Sequence, residues 1–283
     1  FCHACGYVGN LLYQQQKIRY DQEYSFSLHY SPTYQAFIHA LATQLVHIYN
    51  VTEQTVLEIG CGQGDFLRLV CQLGGNQGIG IDPSVNPHIE QHGSSQITFL
   101  QDLYTEKYAN QKADMICCRQ VLDQINNPKA FIELLRNNIA QRSKTVVYFE
   151  VPNALNIFDG LLIRNIIYEK ASWFAPSSLA RLFELSGFKI LSIKPCFEAG
   201  QYLSIEAVPT CEAPPAQKAQ SSEVIALAQS ISTFKENYAQ NIKGWRDSLN
   251  SIAKAGQKVI AWGAGSGAIS FLSTLKIKEE IPY

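Results

Sequence analysis

The residues with the clearest chemistry lie in one short run, Val56-Leu57-Glu58-Ile59-Gly60-Cys61-Gly62-Gln63-Gly64-Asp65. An apolar strand leads into three alternate glycines and then into a helical pattern. Glycine lets the chain turn sharply and approach a ligand with no Cβ in the way. A pyrophosphate-binding loop would need Gly or Ala at the sixth position and a helix N-terminus open to negative charge. Asp65 stands there instead, and its carboxylate repels phosphate. A ligand without phosphate and with a cationic sulfonium tolerates both Glu58 and Asp65. The loop therefore favours S-adenosyl-L-methionine, with Glu58, Gly60, Gly62 and Gly64 as its first contacts.

Two further carboxylates follow at strand ends. Asp82 comes 82 − 58 = 24 residues after Glu58, where an acidic side chain can accept from both hydroxyls of a ribose. Asp102, beside Leu103, ends the next strand and is placed to accept from an adenine amino group. Arg119, at the end of the fourth strand, is a candidate for the methionyl carboxylate of the donor.

These residues need a scaffold, and the chain of 283 residues has one. Short β-rich runs alternate with helical patterns, which predicts βαβ units and a parallel sheet. Strands are expected at Thr55–Ile59, Gln77–Ile81, Gln96–Leu100, Ala113–Cys118, Thr145–Glu150, Lys189–Ile193 and Tyr202–Val208. Helices are expected at Tyr34–Tyr49, Asp65–Leu73, Pro87–His92, Pro128–Ala140 and Ser177–Ser186. The fold class is α/β: a doubly wound, seven-stranded Rossmann-like sheet ending in an antiparallel hairpin. Pro209, Pro214 and Pro215 mark residues 209–222 as a linker. Beyond it Ile231, Phe234, Tyr238, Ile242, Trp245, Leu249 and Ile252 recur at helical spacing on one face. A strand at Lys258–Trp262 leading into Gly263–Ala268 would open a second α/β unit.

The segment Glu58-x-Gly60-x-Gly62-x-Gly64, with Asp82 and Asp102 after successive strands, resembles class I S-adenosylmethionine-dependent methyltransferases. Cys118-Arg119-Gln120-Val121-Leu122-Asp123-Gln124-Ile125, Phe149-Glu150-Val151-Pro152 and Ile167 to Phe174 resemble, more narrowly, the C-methyltransferases of nucleotide-linked keto-deoxysugars. That resemblance implies an N-terminal zinc-binding domain and a C-terminal Rossmann-like domain. It divides the chain into a remnant of the zinc-binding and aromatic cap region (1–33), the methyltransferase domain (34–208), the linker (209–222), and a long helix with a truncated Rossmann-like domain (223–283). It also implies catalytic work by Tyr168, Glu169 and Lys170, with Tyr24 helping to close the substrate pocket. Lys170 stands where the family has His, Gln120 and Gln124 where it commonly has His, and Asp123 where it has Glu. The element 168–170 reads equally as an amphipathic turn, and most of the aromatics from Tyr20 to Tyr34 as packing.

Cys2 and Cys5 have zinc-knuckle spacing, but a tetrahedral site needs four ligands. They make half a site, expected to be empty here, with zinc possible only in a full-length protein. Gly263-x-Gly265-x-x-Ala268 has the form of a dinucleotide loop, yet the sequence runs only 283 − 268 = 15 residues further, short of where an acidic ribose partner would be expected, so it reads as a truncated domain start. A net charge of −1 creates no basic field for nucleic acid or anionic lipid, and no apolar run has the length of a membrane span. The expected partner is a small molecule, a nucleotide sugar by resemblance, in a reducing cytoplasm that fits eight sparse cysteines. O- or N-methylation of another small molecule, a catalytically silent donor-binding module, and a nucleotide-dependent oxidoreductase are the competing readings.

Overall fold

The computed structural model describes residues 1–20, 30–167, 169–213, 222–263 and 265–277. In chain order its elements are β1 (Val8–Gly9), α1 (Pro32–Ile48), β2 (Thr55–Ile59), α2 (Asp65–Gly74), β3 (Gln77–Ile81), β4 (His88–His92) and β5 (Ser95–Leu100). Then come β6 (Met115–Arg119), α3 (Pro128–Ile139), β7 (Val146–Pro152), α4 (Ala154–Asp159), β8 (Ser172–Trp173), α5 (Pro176–Leu185), β9 (Phe188–Cys196), β10 (Tyr202–Pro209), α6 (Ser222–Lys254) and α7 (Ser266–Leu275).

The main sheet has the order β4-β5-β3-β2-β6-β7-β10-β9, with β5, β3, β2, β6 and β7 parallel and β4, β10 and β9 antiparallel to their neighbours. Its centre reads as continuous apolar sequence because both faces are covered. Alternate residues go to opposite layers. Leu57, Ile59, Ile116, Cys118, Val147 and Phe149 pack with Ile132 and Leu135 of α3 and Leu179 and Phe183 of α5. Val56, Met115, Cys117, Val146 and Tyr148 pack with Leu41 and Leu45 of α1 and Leu67 and Val70 of α2. Ser31 caps α1 by accepting from Tyr34 N at 3.4 Å, and Asn127 caps α3 by accepting from Ala130 N at 3.1 Å. Strand order reverses at β2 between β3 and β6, so a crevice forms outside the C-terminal ends of these strands.

The doubly wound sheet is as expected, with one strand more. The segment 87–92 is not a helix: His88–His92 is the edge strand β4, paired antiparallel with β5 through a turn at Gly93, which has φ +61°. Its side chains are mostly exposed, so no apolar alternation announced it. Lys258–Trp262 forms no strand. Ile260 is 82% and Trp262 100% exposed, and β-prone residues without a partner strand make no ladder. The long helix does form. Phe234 meets Phe158 of α4 edge-on at 5.3 Å, and Trp245 meets Phe271 of α7 at 5.1 Å.

The glycine loop is shaped by close packing. Gly60 has φ +70°, and a Cβ built on it would lie 2.2 Å from Val121 Cγ2. Gly62 has φ +54° with nothing within 4 Å of such a Cβ. Gly60→Ala should therefore cost about 2–5 kcal/mol, left-handed strain plus overpacking. Gly62→Ala should cost only about 1–2 kcal/mol. Urea unfolding of the two variants checks the difference, and equal losses would refute this packing.

Candidate active site

A cavity of about 780 Å³ occupies the crevice at the ends of β2, β3 and β6. Glu58, Gly60, Gly62, Asp65, Asp82 and Leu103 line it from the loops after β2, β3 and β5. Amides and phenols join apolar side chains such as Ile18, Ile38, Val121 and Ile125 on the remaining wall: Tyr13, Gln15, Gln16 and Tyr20 from the N-terminal segment, Tyr34 from α1, Gln120 and Gln124 after β6, and Tyr202 from β10. The N-terminal segment is held there by β1, which pairs with β8, and by Tyr13 Oη, which donates to Gln124 O at 2.8 Å.

The loop and Asp82 are one unit. Gly62 N donates to Asp82 Oδ2 at 2.8 Å, while Ser84 N and Ser84 Oγ donate to Oδ1 at 2.7 and 2.6 Å. A carboxylate has about four acceptor positions. Three are filled by the protein's own donors, which leaves one acceptor position facing the cavity. Glu58 is 3% exposed, lines the cavity, and its Oε2 has no partner. Burial pushes its carboxyl up to about 8, against the pull of Arg119 and with a further push from Asp82.

Arg119 lines the same cavity but is already engaged. Its Nη2 donates to Tyr34 Oη at 2.8 Å and to Glu150 Oε1 at 3.3 Å, and its guanidinium lies 4.4 Å from the centre of the Phe66 ring. Burial opposes its charge, but Glu150, Tyr34, Tyr148 and Glu58 outweigh that and raise its pKa.

Other sequence expectations are placed elsewhere. Leu103 lines the cavity, whereas Asp102 does not: its carboxylate accepts from Tyr108 Oη at 2.5 Å and pairs with Lys107, which with Tyr108 holds it below the usual carboxylate range. The aromatic Tyr24 and Tyr168 lie outside the described residues. Neither Glu169 nor Lys170 lines the cavity. Lys170 is 7% exposed and its ammonium pairs with Asp123, itself 1% exposed. Catalysis by Lys170 is thus corrected to a structural ion pair. Two of the four positions that depart from the pattern of the resembled family, 123 and 170, are each other's partners. Cys2 and Cys5 are free thiols, and among the described residues no group of three metal-ligating side chains exists.

Sequence reasoning missed Tyr34, Tyr202 and Ser84, for which no motif stood. It also missed the contact of Glu150 with Arg119, although a carboxylate inside the apolar run Val146–Pro152 was a visible signal.

Residues 28–193 match the family described as "Methyltransferase domain", 193 − 28 + 1 = 166 of 283 residues. The chain belongs to this family, and its donor is S-adenosylmethionine. No curated protein matches its sequence. Among solved structures it is similar to the magnesium protoporphyrin IX methyltransferase of Synechocystis PCC 6803 with bound S-adenosylhomocysteine, at 18% identity over 63% of this chain and 84% of that one, TM-score 0.45. It is also similar to the 1,6-didemethyltoxoflavin-N1-methyltransferase of Burkholderia thailandensis, at 11% identity over 63% and 81%, TM-score 0.45. Among the described residues no helix is long and apolar enough to cross a membrane.

Two measurements test the buried charges. Lys170→Met strands Asp123 without its cation and should cost about 3–5 kcal/mol in urea unfolding; a neutral result would remove the ion pair. The folded pKa of Glu58 lies above its ordinary 4.5, so its burial cost is absent below about 4.5 and full above about 8. Glu58→Gln should accordingly raise the thermal midpoint above about pH 8 and leave it unchanged below 4.5. A gain independent of pH would overturn the assignment.

Proposed function

We propose that the cavity binds S-adenosylmethionine and a small-molecule acceptor together, and that the acceptor is a nucleotide-linked keto-deoxysugar methylated on carbon. The donor part of this reading is carried by Glu58, a buried carboxylate with an unpartnered oxygen on the cavity wall. It is the partner that the donor's ammonium would take. Asp82 would accept from a ribose hydroxyl, Leu103 would cover the adenine, and Arg119 would meet the methionyl carboxylate. Gly62 leaves open space where a side chain would intrude. At the donor end the carboxylates of Glu58, Asp65 and Asp82 are unsuited to a pyrophosphate-bearing cofactor.

When bound, S-adenosylmethionine supplies an electrophilic methyl group on a sulfonium. The protein's own contribution is to hold a nucleophile roughly 3 Å away and in line, excluding water. A carbon nucleophile beside a ketone also needs a base and a donor for the enolate oxygen. The phenols of Tyr20 and Tyr34 and the amide nitrogen of Gln124 line the wall for the second task. The acceptor class rests on the motif resemblance of residues 118–125, 149–152 and 167–174. A second reading, O- or N-methylation, is favoured by one observation: Lys170, at the family's catalytic His position, is tied to Asp123 off the cavity wall.

Incubation with methyl-labelled donor and a nucleotide-linked keto-deoxysugar should release S-adenosylhomocysteine and give a product whose NMR spectrum shows a new C–CH₃. Label on oxygen or nitrogen would select the second reading, and no binding of donor by calorimetry would end both. Asp82→Ala should weaken donor binding more than tenfold, through the lost ribose contact and the loosened Gly62 amide. Unchanged affinity would remove Asp82 from the donor site.

A further inference from the structure

Glu150 is completely buried in β7 and does not line the cavity, yet two of its contacts do. Its Oε1 accepts from Arg119 Nη2 at 3.3 Å and from Gln120 Nε2 at 2.9 Å. Its Oε2 accepts from Tyr148 Oη at 3.2 Å. Its main-chain oxygen accepts from Gln120 N at 2.8 Å, and Gln120 has φ +58°. A non-glycine residue holds that left-handed conformation only when its surroundings compensate. Here the same residue, Glu150, grips both ends of Gln120.

The two contacts have separate consequences. A charge-assisted bond fixes one face of the Arg119 guanidinium. Arg119 Nε is buried with no partner, so the fork has unused donor capacity beside the cavity. For Gln120, a flipped amide would set its oxygen against the Glu150 carboxylate oxygen at hydrogen-bond distance, which is repulsive. The amide nitrogen must therefore face Glu150, and the amide oxygen is left as the group that can accept from an occupant of the cavity.

We infer that Glu150 is a positioning residue for methyl transfer, acting through Arg119 on the donor and through Gln120 on the acceptor. This rests on the reading that Arg119 meets the donor's carboxylate. It extends that reading by making one buried carboxylate common to both substrate contacts. It also specifies the acceptor's chemistry at Gln120: a hydroxyl or N–H hydrogen-bond donor. Without the charge of Glu150, Glu58 is the carboxylate on the cavity wall that still attracts Arg119. A pair between Arg119 and Glu58 would consume both groups assigned to the amino-acid end of the donor.

The test uses calorimetric binding of S-adenosylhomocysteine, which needs no acceptor, to the full chain. Glu150→Gln should bind it at least tenfold more weakly than the unaltered protein. In an Arg119→Met background, which itself binds more weakly, Glu150→Gln should change affinity less than twofold. A purely structural role would repeat the full loss in that background, and this outcome overturns the inference. So does unchanged affinity in Glu150→Gln or in Arg119→Met. Glu150→Asp, which keeps the charge but shortens its reach, covers the case of a poorly folded amide variant. It should give an intermediate loss in the presence of Arg119 and none in its absence, and a loss in both backgrounds refutes the role. Failure of the unaltered protein to bind S-adenosylhomocysteine would instead refute the donor reading itself.

Discussion

The amide of Gly62 donating to the carboxylate of Asp82 is the contact on which the cavity depends. It joins the loop after β2 to the end of β3, two neighbouring parallel strands, and so sets the width of the crevice between their ends. The loop can reach Asp82 only because Gly60 turns against Val121 with no side chain between them. Below it, residues 55–59 pair with β3 on one side and β6 on the other. Loop, carboxylate and Val121 therefore have fixed relative positions before any ligand arrives, which lowers the ordering cost of binding.

Charge divides the cavity. Glu58, Asp65, Asp82 and Arg119 come from the loops and strand ends of the sheet, while Tyr13, Gln15, Gln16, Gln120 and Gln124 bring only neutral polar groups. A cosubstrate carrying a sulfonium and an ammonium suits the first set. A molecule of hydroxyls and carbonyls suits the second. Glu58 carries the tension of this design: burial raises its carboxyl to about 8, so near neutral pH the neutral form is favoured until a cation arrives beside it. A buried carboxyl with a perturbed titration and an unpartnered oxygen on a cavity wall is a mark of a binding role rather than a packing role.

Much of this was legible in the chain. Thr55–Ile59 and Gln77–Ile81 were bounded correctly because buried parallel strands are apolar throughout and end at glycine or aspartate. The carboxylates at 58 and 82 were found because their spacing follows from the length of one βαβ unit. The edge strand His88–His92 was not legible, since its stability lies in main-chain pairing with β5 and not in side-chain burial. Lys170 was misjudged for the opposite reason: its partner Asp123 is 47 residues away, and only the fold brings them together. Asp102 was assigned to adenine on position alone, whereas Lys107 and Tyr108, one short turn onward, had already claimed it.

The sheet's two rims complete the description. On one, His88, Glu90 and His92 share a side of β4, and Glu90 is gripped by Arg68 Nε at 2.7 Å. On the other, β9 carries Lys189 and Lys194 and includes Pro195, which has no amide hydrogen to offer. Charged and proline-bearing borders resist the addition of a foreign strand. A broad, largely parallel sheet of this kind is thus protected from ribbon-like self-association at both margins, through residues remote from its chemistry.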